Sequence, residues 1–155
     1  MNFTVASNNP AVTEALGNRI GSHLHGNELI LISGPLGAGK TLLTKGLARG
    51  CGIDPDEVVS PTFVLMNQYE GKFPFFHFDL YRLGMAGQVA DPGFDEYLSQ
   101  GIVVVEWAQF LSRMSFAGEA VIRIDISVSD ETRAIQIGTL LPYLTDFAPQ
   151  EKATR

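Results

Sequence analysis

Two glycines five residues apart, followed at once by a lysine and a threonine, form the stretch Gly34-Pro-Leu-Gly-Ala-Gly39-Lys40-Thr41. This spacing is the phosphate-cradle pattern G-x-x-x-x-G-K-T, and its residue types do separate jobs. The glycines let the chain bend so that the backbone N–H groups of Gly34, Leu36, Gly37, Ala38 and Gly39 can face a polyphosphate with no Cβ in the way. The loop runs into a helix N-terminus, whose unpaired donors and positive dipole end favour an anion. Lys40 is placed to bridge the outer phosphates, and the Thr41 hydroxyl to ligate magnesium. The expected ligand is a nucleoside triphosphate with Mg2+. The pattern leaves open whether it serves as substrate, fuel or switch.

Such a site needs carboxylates at neighbouring strand ends, because ligands in open α/β sheets collect there. Asp79 ends the aromatic run in HFDLYR, and Glu106 follows four apolar residues in IVVVE. Either acid alone is also explained as a solvated strand end. Beside a phosphate cradle, a role in holding metal or positioning water becomes the better reading for both. Ser60–Phe63, SPTF, is a polar turn where nucleotide-dependent switches often carry a Ser or Thr that senses the γ-phosphate. Thr62 is the candidate sensor, and a turn fixed only by Pro61 explains the same residues equally well.

The elements that must position these groups can be read from periodicity. ELILIS before the cradle and GIVVVEW before Glu106 are continuous apolar runs, as expected of strands buried on both faces. A helix begins near Lys40 and stops around Gly50–Gly52. Residues 3–6 suggest a short strand. Val12, Ala15, Leu16, Ile20 and Leu24 fall on one face of a helix with Pro10 in its first turn. FVLMNQYE and FPFFHFDLY suggest two strands separated at Gly71, and DEYLS a short helix. VIRIDISVS and TRAIQIGTL suggest an antiparallel hairpin, with Ile122, Ile124, Ile126 and Val128 on one face. The expected fold is an α/β, P-loop NTPase-like three-layer domain: a mixed, mainly parallel sheet flanked by helices, with a C-terminal antiparallel hairpin. One domain is expected over residues 1–145, with a frayed tail over 146–155.

Composition narrows the classes. At 155 residues the chain can bury about 70% of its unfolded surface. Its 11 basic and 17 acidic residues give a net charge of −6, with the basic ones scattered, which argues against a strong direct grip on nucleic acid. No apolar run is long enough to span a membrane, the N-terminus lacks a signal-peptide pattern, and one cysteine cannot form an internal disulfide; a cytoplasmic location is expected. Cys51 has no basic neighbours that would make it reactive. His77, without other His or Cys residues nearby in sequence, is expected to be a packed strand residue rather than a metal ligand. Trp107 suits either the core or an exposed contact.

GPLGAGKT, SPTF, HFDLYR, DEYL and GIVVVEW, in this order and spacing, resemble the bacterial TsaE (YjeE) family, small ATPases required for threonylcarbamoyladenosine modification of tRNA beside the anticodon. The resemblance is specific from about Glu28 to Trp107. It implies that Lys40 and Thr41 serve phosphates and Mg2+, that Asp79 organises the metal, that Glu106 is the Walker-B-like acid, and that Thr62 lies in a switch segment. It also implies ATP and ADP as ligands and a TsaD–TsaB heterodimer as partner, with tRNA reached only through that complex. ATP binding and hydrolysis would then reset the partner between turnovers. By the same resemblance Thr132 or Arg133, in the hairpin turn SDETR, would approach the adenine. The chain departs from the family at EWAQ, where Ala108 and Gln109 replace the usual proline and second acid, and in the connection GMAGQVADPGF.

A small-molecule kinase would share the cradle, but it would want an arginine-bearing lid and an acceptor pocket, for which the sequence leaves little room. A non-hydrolysing binding module would not need Asp79 and Glu106 together. Hydrolysis by the isolated chain is expected to be slow, because no arginine finger is evident in cis.

Overall fold

The computed structural model describes residues 2–90, 93–112 and 120–147. Seven strands form one sheet in the order β1-β7-β6-β2-β5-β4-β3. They are β1 (Asn2–Ser7), β2 (Glu28–Ser33), β3 (Met66–Glu70), β4 (Pro74–Asp79), β5 (Ile102–Glu106), β6 (Ala120–Ser129) and β7 (Thr132–Thr139). The central four, β6, β2, β5 and β4, run parallel. β3 joins β4 antiparallel at one edge, and β7 then β1 complete the other edge, also antiparallel. The fold is therefore α/β with a mixed sheet, parallel at its centre, as the apolar runs predicted.

Strand alternation sends side chains to two cores. Ile30 and Ile32 of β2, with Ile102 and Val104 of β5, pack under α1 (Pro10–Gly21) and α2 (Lys40–Gly50). Leu29, Leu31, Val103 and Val105 face the opposite side, toward Phe94 of α4 (Phe94–Leu98), Leu80 before α3 (Tyr81–Gly84), and Ala108 in a 3-10 turn at Ala108–Phe110. No helix among the described residues is long and apolar enough to cross a membrane.

Local signals explain where elements begin. Asn9 caps α1 by accepting from the Val12 N–H at 3.1 Å, with Pro10 at the first helical position. α1 and α2 then approach backbone to backbone. A Cβ on Gly46 would lie 2.2 Å from the Glu14 carbonyl oxygen, and one on Gly21 would lie 2.2 Å from that of Leu47. Gly17 and Gly50 complete this seam. The spacing G-x-x-x-G occurs in both helices.

One strand expectation needs correction. FVLMNQYE does not form a strand from its start: residues 62–64 lie in a turn, Leu65 takes a positive φ of 70°, and β3 begins at Met66. The turn closes on Pro61, whose carbonyl accepts from the N–H groups of Val64 and Leu65, so proline chemistry overrides the weak alternation. Phe63 is consequently exposed rather than core. Val128 shares the face of Ile122, Ile124 and Ile126, as expected, and is itself exposed near the end of β6. The frayed tail expected from residue 146 falls, from 148 onward, outside the described residues, as do Asp91 and Pro92 of the loop connection.

One anchor has no counterpart in the sequence reading. Glu28 is fully buried at the start of β2. Its carboxylate accepts from the backbone N–H groups of His25, Gly26 and Asn27 and from the Tyr143 hydroxyl at 2.6 Å. Four donors satisfy a charge that burial would otherwise penalise by several kcal/mol, on the order given for unpaired ions.

Candidate functional site

The parallel register brings three strand ends to one edge. Ile32 pairs with Glu106, and Asp79 pairs with Glu106 across β4 and β5. The phosphate loop leaves β2 one residue later, so loop, Asp79 and Glu106 open on a common cavity of about 460 Å3. Leu36, Gly37, Ala38, Gly39, Lys40 and Thr41 line it from the loop side, facing Ser60, Thr62, Tyr81 and Trp107.

The loop has the geometry of an anion cradle. Gly37 and Gly39 take positive φ values of 76° and 99°, which a side chain would strain. Gly39 caps α2 with no side-chain acceptor, and the first turn of α2 carries no acid, so its N–H donors stay available. Lys40 is nearly buried. Its ammonium donates to the carbonyls of Gly34 at 2.9 Å and Pro35 at 2.7 Å, and lies 3.7 Å from the centre of the Trp107 ring. Burial lowers the Lys40 pKa, while the negative charges of Glu106 and Asp79 push it back up.

Glu106 is gripped from three sides. Its Oε1 accepts from the Thr41 hydroxyl at 2.7 Å, and its Oε2 accepts from the Thr44 hydroxyl at 3.2 Å and from His77 Nε2. Asp79 accepts from Ser60 Oγ at 2.6 Å and Thr62 Oγ1 at 3.5 Å through one oxygen, and from the Tyr81 N–H at 2.9 Å through the other. Among the described residues no group of three His, Cys, Asp or Glu side chains could hold a metal unaided. One hydroxyl and two carboxylates at the mouth of a phosphate cradle do fit Mg2+, which draws its other ligands from phosphate and water.

Thr41, Asp79, Glu106 and Lys40 are therefore brought together, as are Gly34, Leu36, Gly37, Ala38 and Gly39 of the loop, and Thr62 stands beside Asp79. A second cavity of about 430 Å3 lies on the other side of the loop, between Asn8, Asn9 and Thr13 of the α1 entry and the Asp130–Glu131 turn. Arg133 lines it and donates to the Gly37 carbonyl at 3.2 Å. Thr132 is exposed, pairs with Ser129 across the hairpin, and is not among the residues lining that cavity.

Three participants escaped the sequence reading. Ser60 holds Asp79 more closely than Thr62 does. His77 is a packed strand residue, as expected, but its ring also meets the carboxylate of Glu106. The signal was present in the i, i+2 spacing of His77 and Asp79, which puts both on one strand face. Gln109, where the related sequences were expected to carry an acid, bonds to Gly34 through both ends of its amide.

Comparison with known proteins gives a consistent picture. A family model described as threonylcarbamoyl adenosine biosynthesis protein TsaE matches residues 7–135. A protein from a Nostoc species, named tRNA threonylcarbamoyladenosine biosynthesis protein TsaE, is 38% identical over 122 residues, covering 75% of this chain and 72% of its own. A namesake from Rickettsia felis is 30% identical over 130 residues, covering 83% and 74%. The crystal structure of Bacillus subtilis YdiB superposes with a TM-score of 0.68 at 28% identity, covering 91% of this chain and 87% of that one.

Proposed function

We propose, from the premise that this chain belongs to the TsaE family, that it takes part in tRNA threonylcarbamoyladenosine biosynthesis as a magnesium-dependent ATPase. In this reading ATP binding and hydrolysis cycle a TsaD–TsaB transferase complex in the cytoplasm, and tRNA is met only through that complex. The observation that carries the ATPase reading is the convergence of Thr41, Asp79 and Glu106 on the open face of the cradle.

The cradle N–H groups and Lys40 hold the polyphosphate. To do so Lys40 releases the Gly34 and Pro35 carbonyls, while Gly34 keeps Gln109 as a partner. Thr41, whose hydroxyl now bonds Glu106, would hold the metal together with the carboxylates of Glu106 and Asp79. Bound magnesium supplies neutralisation of charge developing on the transferred phosphoryl group. Glu106, freed on Oε1, orients the attacking water. Thr62 turns from Ser60 and Asp79 to report the γ-phosphate, and its release after hydrolysis loosens the exposed turn at Phe63.

Hydrolysis by the isolated chain is slow in this reading. The test compares wild type, Lys40→Ala and Glu106→Ala with and without the TsaD–TsaB heterodimer and tRNA. Stimulation by the complex, abolished in both variants, supports it. A rate indifferent to the complex, with a metabolite taking up the γ-phosphate, would establish a kinase instead.

A further inference from the structure

The two oxygens of Glu106 have different surroundings. Oε1 meets Thr41, which lines the open cavity. Oε2 points into the protein, where Thr44 and His77, both fully buried, donate to it. A carboxylate offers only acceptors, so the bond requires the His77 proton on Nε2. His77 Nδ1 is buried and has no hydrogen-bond partner among the described residues. An imidazole kept at such a cost, where an aromatic ring would fill the same space on the Phe75 face of β4, needs a reason beyond packing.

We infer that His77 is a positioning residue: with Thr44, it locks Glu106 Oε2 inward so that Oε1 alone is presented to the magnesium–nucleotide unit. Thr44 cannot do this alone, because its hydroxyl also bonds the Lys40 carbonyl at 3.0 Å. The bond further ties β4 to β5 directly behind the site, since Asp79, two residues on from His77, pairs with Glu106. This role rests on the nucleotide reading above and assigns His77 no contact with the nucleotide.

The test is titration of a fluorescent ATP analogue, with and without Mg2+, against wild type, His77→Phe and His77→Gln. Phe keeps the ring and removes the donor, whereas Gln can return an N–H near the Nε2 position. His77→Phe should bind metal-free analogue like wild type but lose about 10–100-fold of the tightening produced by Mg2+, the usual range for removing an outer-sphere partner. His77→Gln should recover most of it. In a Glu106→Gln background, His77→Phe should change nothing further. An unchanged Mg2+ response in His77→Phe, or a full additional loss in that background, overturns the role.

If His77→Phe does not fold, the wild-type imidazole 15N spectrum decides. An Nε2-bound proton that shifts on addition of Mg2+ and a non-hydrolysable ATP analogue supports the role, and an unmoved one overturns it. A wild-type chain that binds no nucleotide at all would instead overturn the nucleotide reading, and the positioning role with it.

Discussion

Gln109 holds Gly34 by both of its backbone polar groups, donating Nε2–H to the carbonyl at 2.8 Å and accepting the N–H on Oε1 at 3.3 Å. The amide supplies a donor and an acceptor side by side, which an ionised carboxylate cannot. Gln109→Glu should keep the accepting half, lose the donating half and put a negative charge beside the loop proposed to receive polyphosphate. ATP affinity should fall by up to about fivefold, the scale of an exposed charge pair. Gln109→Ala should cost less. Nucleotide titration at low and high salt is the check: the Glu variant's deficit should shrink with salt, and a salt-independent deficit would count against the electrostatic account.

Ser60 and Thr62 divide the work on Asp79. Ser60 is the nearer donor, while Thr62 also bonds Ser60 at 3.0 Å and is less committed to the carboxylate. Ser60→Ala should therefore loosen residues 60–65 in the nucleotide-free protein, seen as faster amide exchange. Thr62→Ala should leave that exchange nearly unchanged and lower the hydrolysis rate in the presence of partner. The reverse pattern would reassign the two hydroxyls.

The glycine seam between α1 and α2 has no room for a methyl group. Gly46→Ala should destabilise the fold by about 1–3 kcal/mol, the range for overpacking, or more because the obstacle is backbone. Chemical denaturation measures this directly, and a neutral substitution would mean that the helices can separate.

Alkaline pH should weaken the protein in a defined window. Burial pushes the Cys51 thiol from its usual 9.0 up to about 12, and burial together with Glu28 raises the Tyr143 hydroxyl above its usual 10.0. Both groups hold their protons more tightly when folded. Their contribution is thus fully present below the unfolded values and is lost as pH rises through 9 toward 12. Thermal melts from pH 7 to 11 should fall across that interval, with a gentler fall in Cys51→Ala. A thiol reagent at pH 8 should reach Cys51 only after unfolding.

Much of the frame was legible because local chemistry and tertiary need agree. β2 and β5 are apolar on both faces, and the loop glycines and Lys40 have spacings that few other structures require. Asp79 and Glu106 could be marked as strand-end acids from their position after apolar runs. What escaped depends on register or on contacts distant in sequence. His77 gains its partner only when β4 and β5 align, Gln109 only when the 3-10 turn folds back on the loop, and Glu28 its fourth donor only when Tyr143 arrives from the other end of the chain. At Phe63 a periodic pattern misled, because a proline turn fixed the backbone first.

The contact of α1 on α2 has a mechanical consequence. With backbone against backbone at the four glycines, sliding one helix along the other would bring side chains against backbone there. α1 carries Asn9 and Thr13 on the wall of one cavity, and α2 begins at the floor of the other, so the two cavities share one stiff frame. In the proposed cycle, displacement on loss of a phosphate would be channelled away from the helices, into the turn where Phe63 and Val64 stand exposed. Amide exchange with and without nucleotide should change at residues 60–65 and stay level along α1.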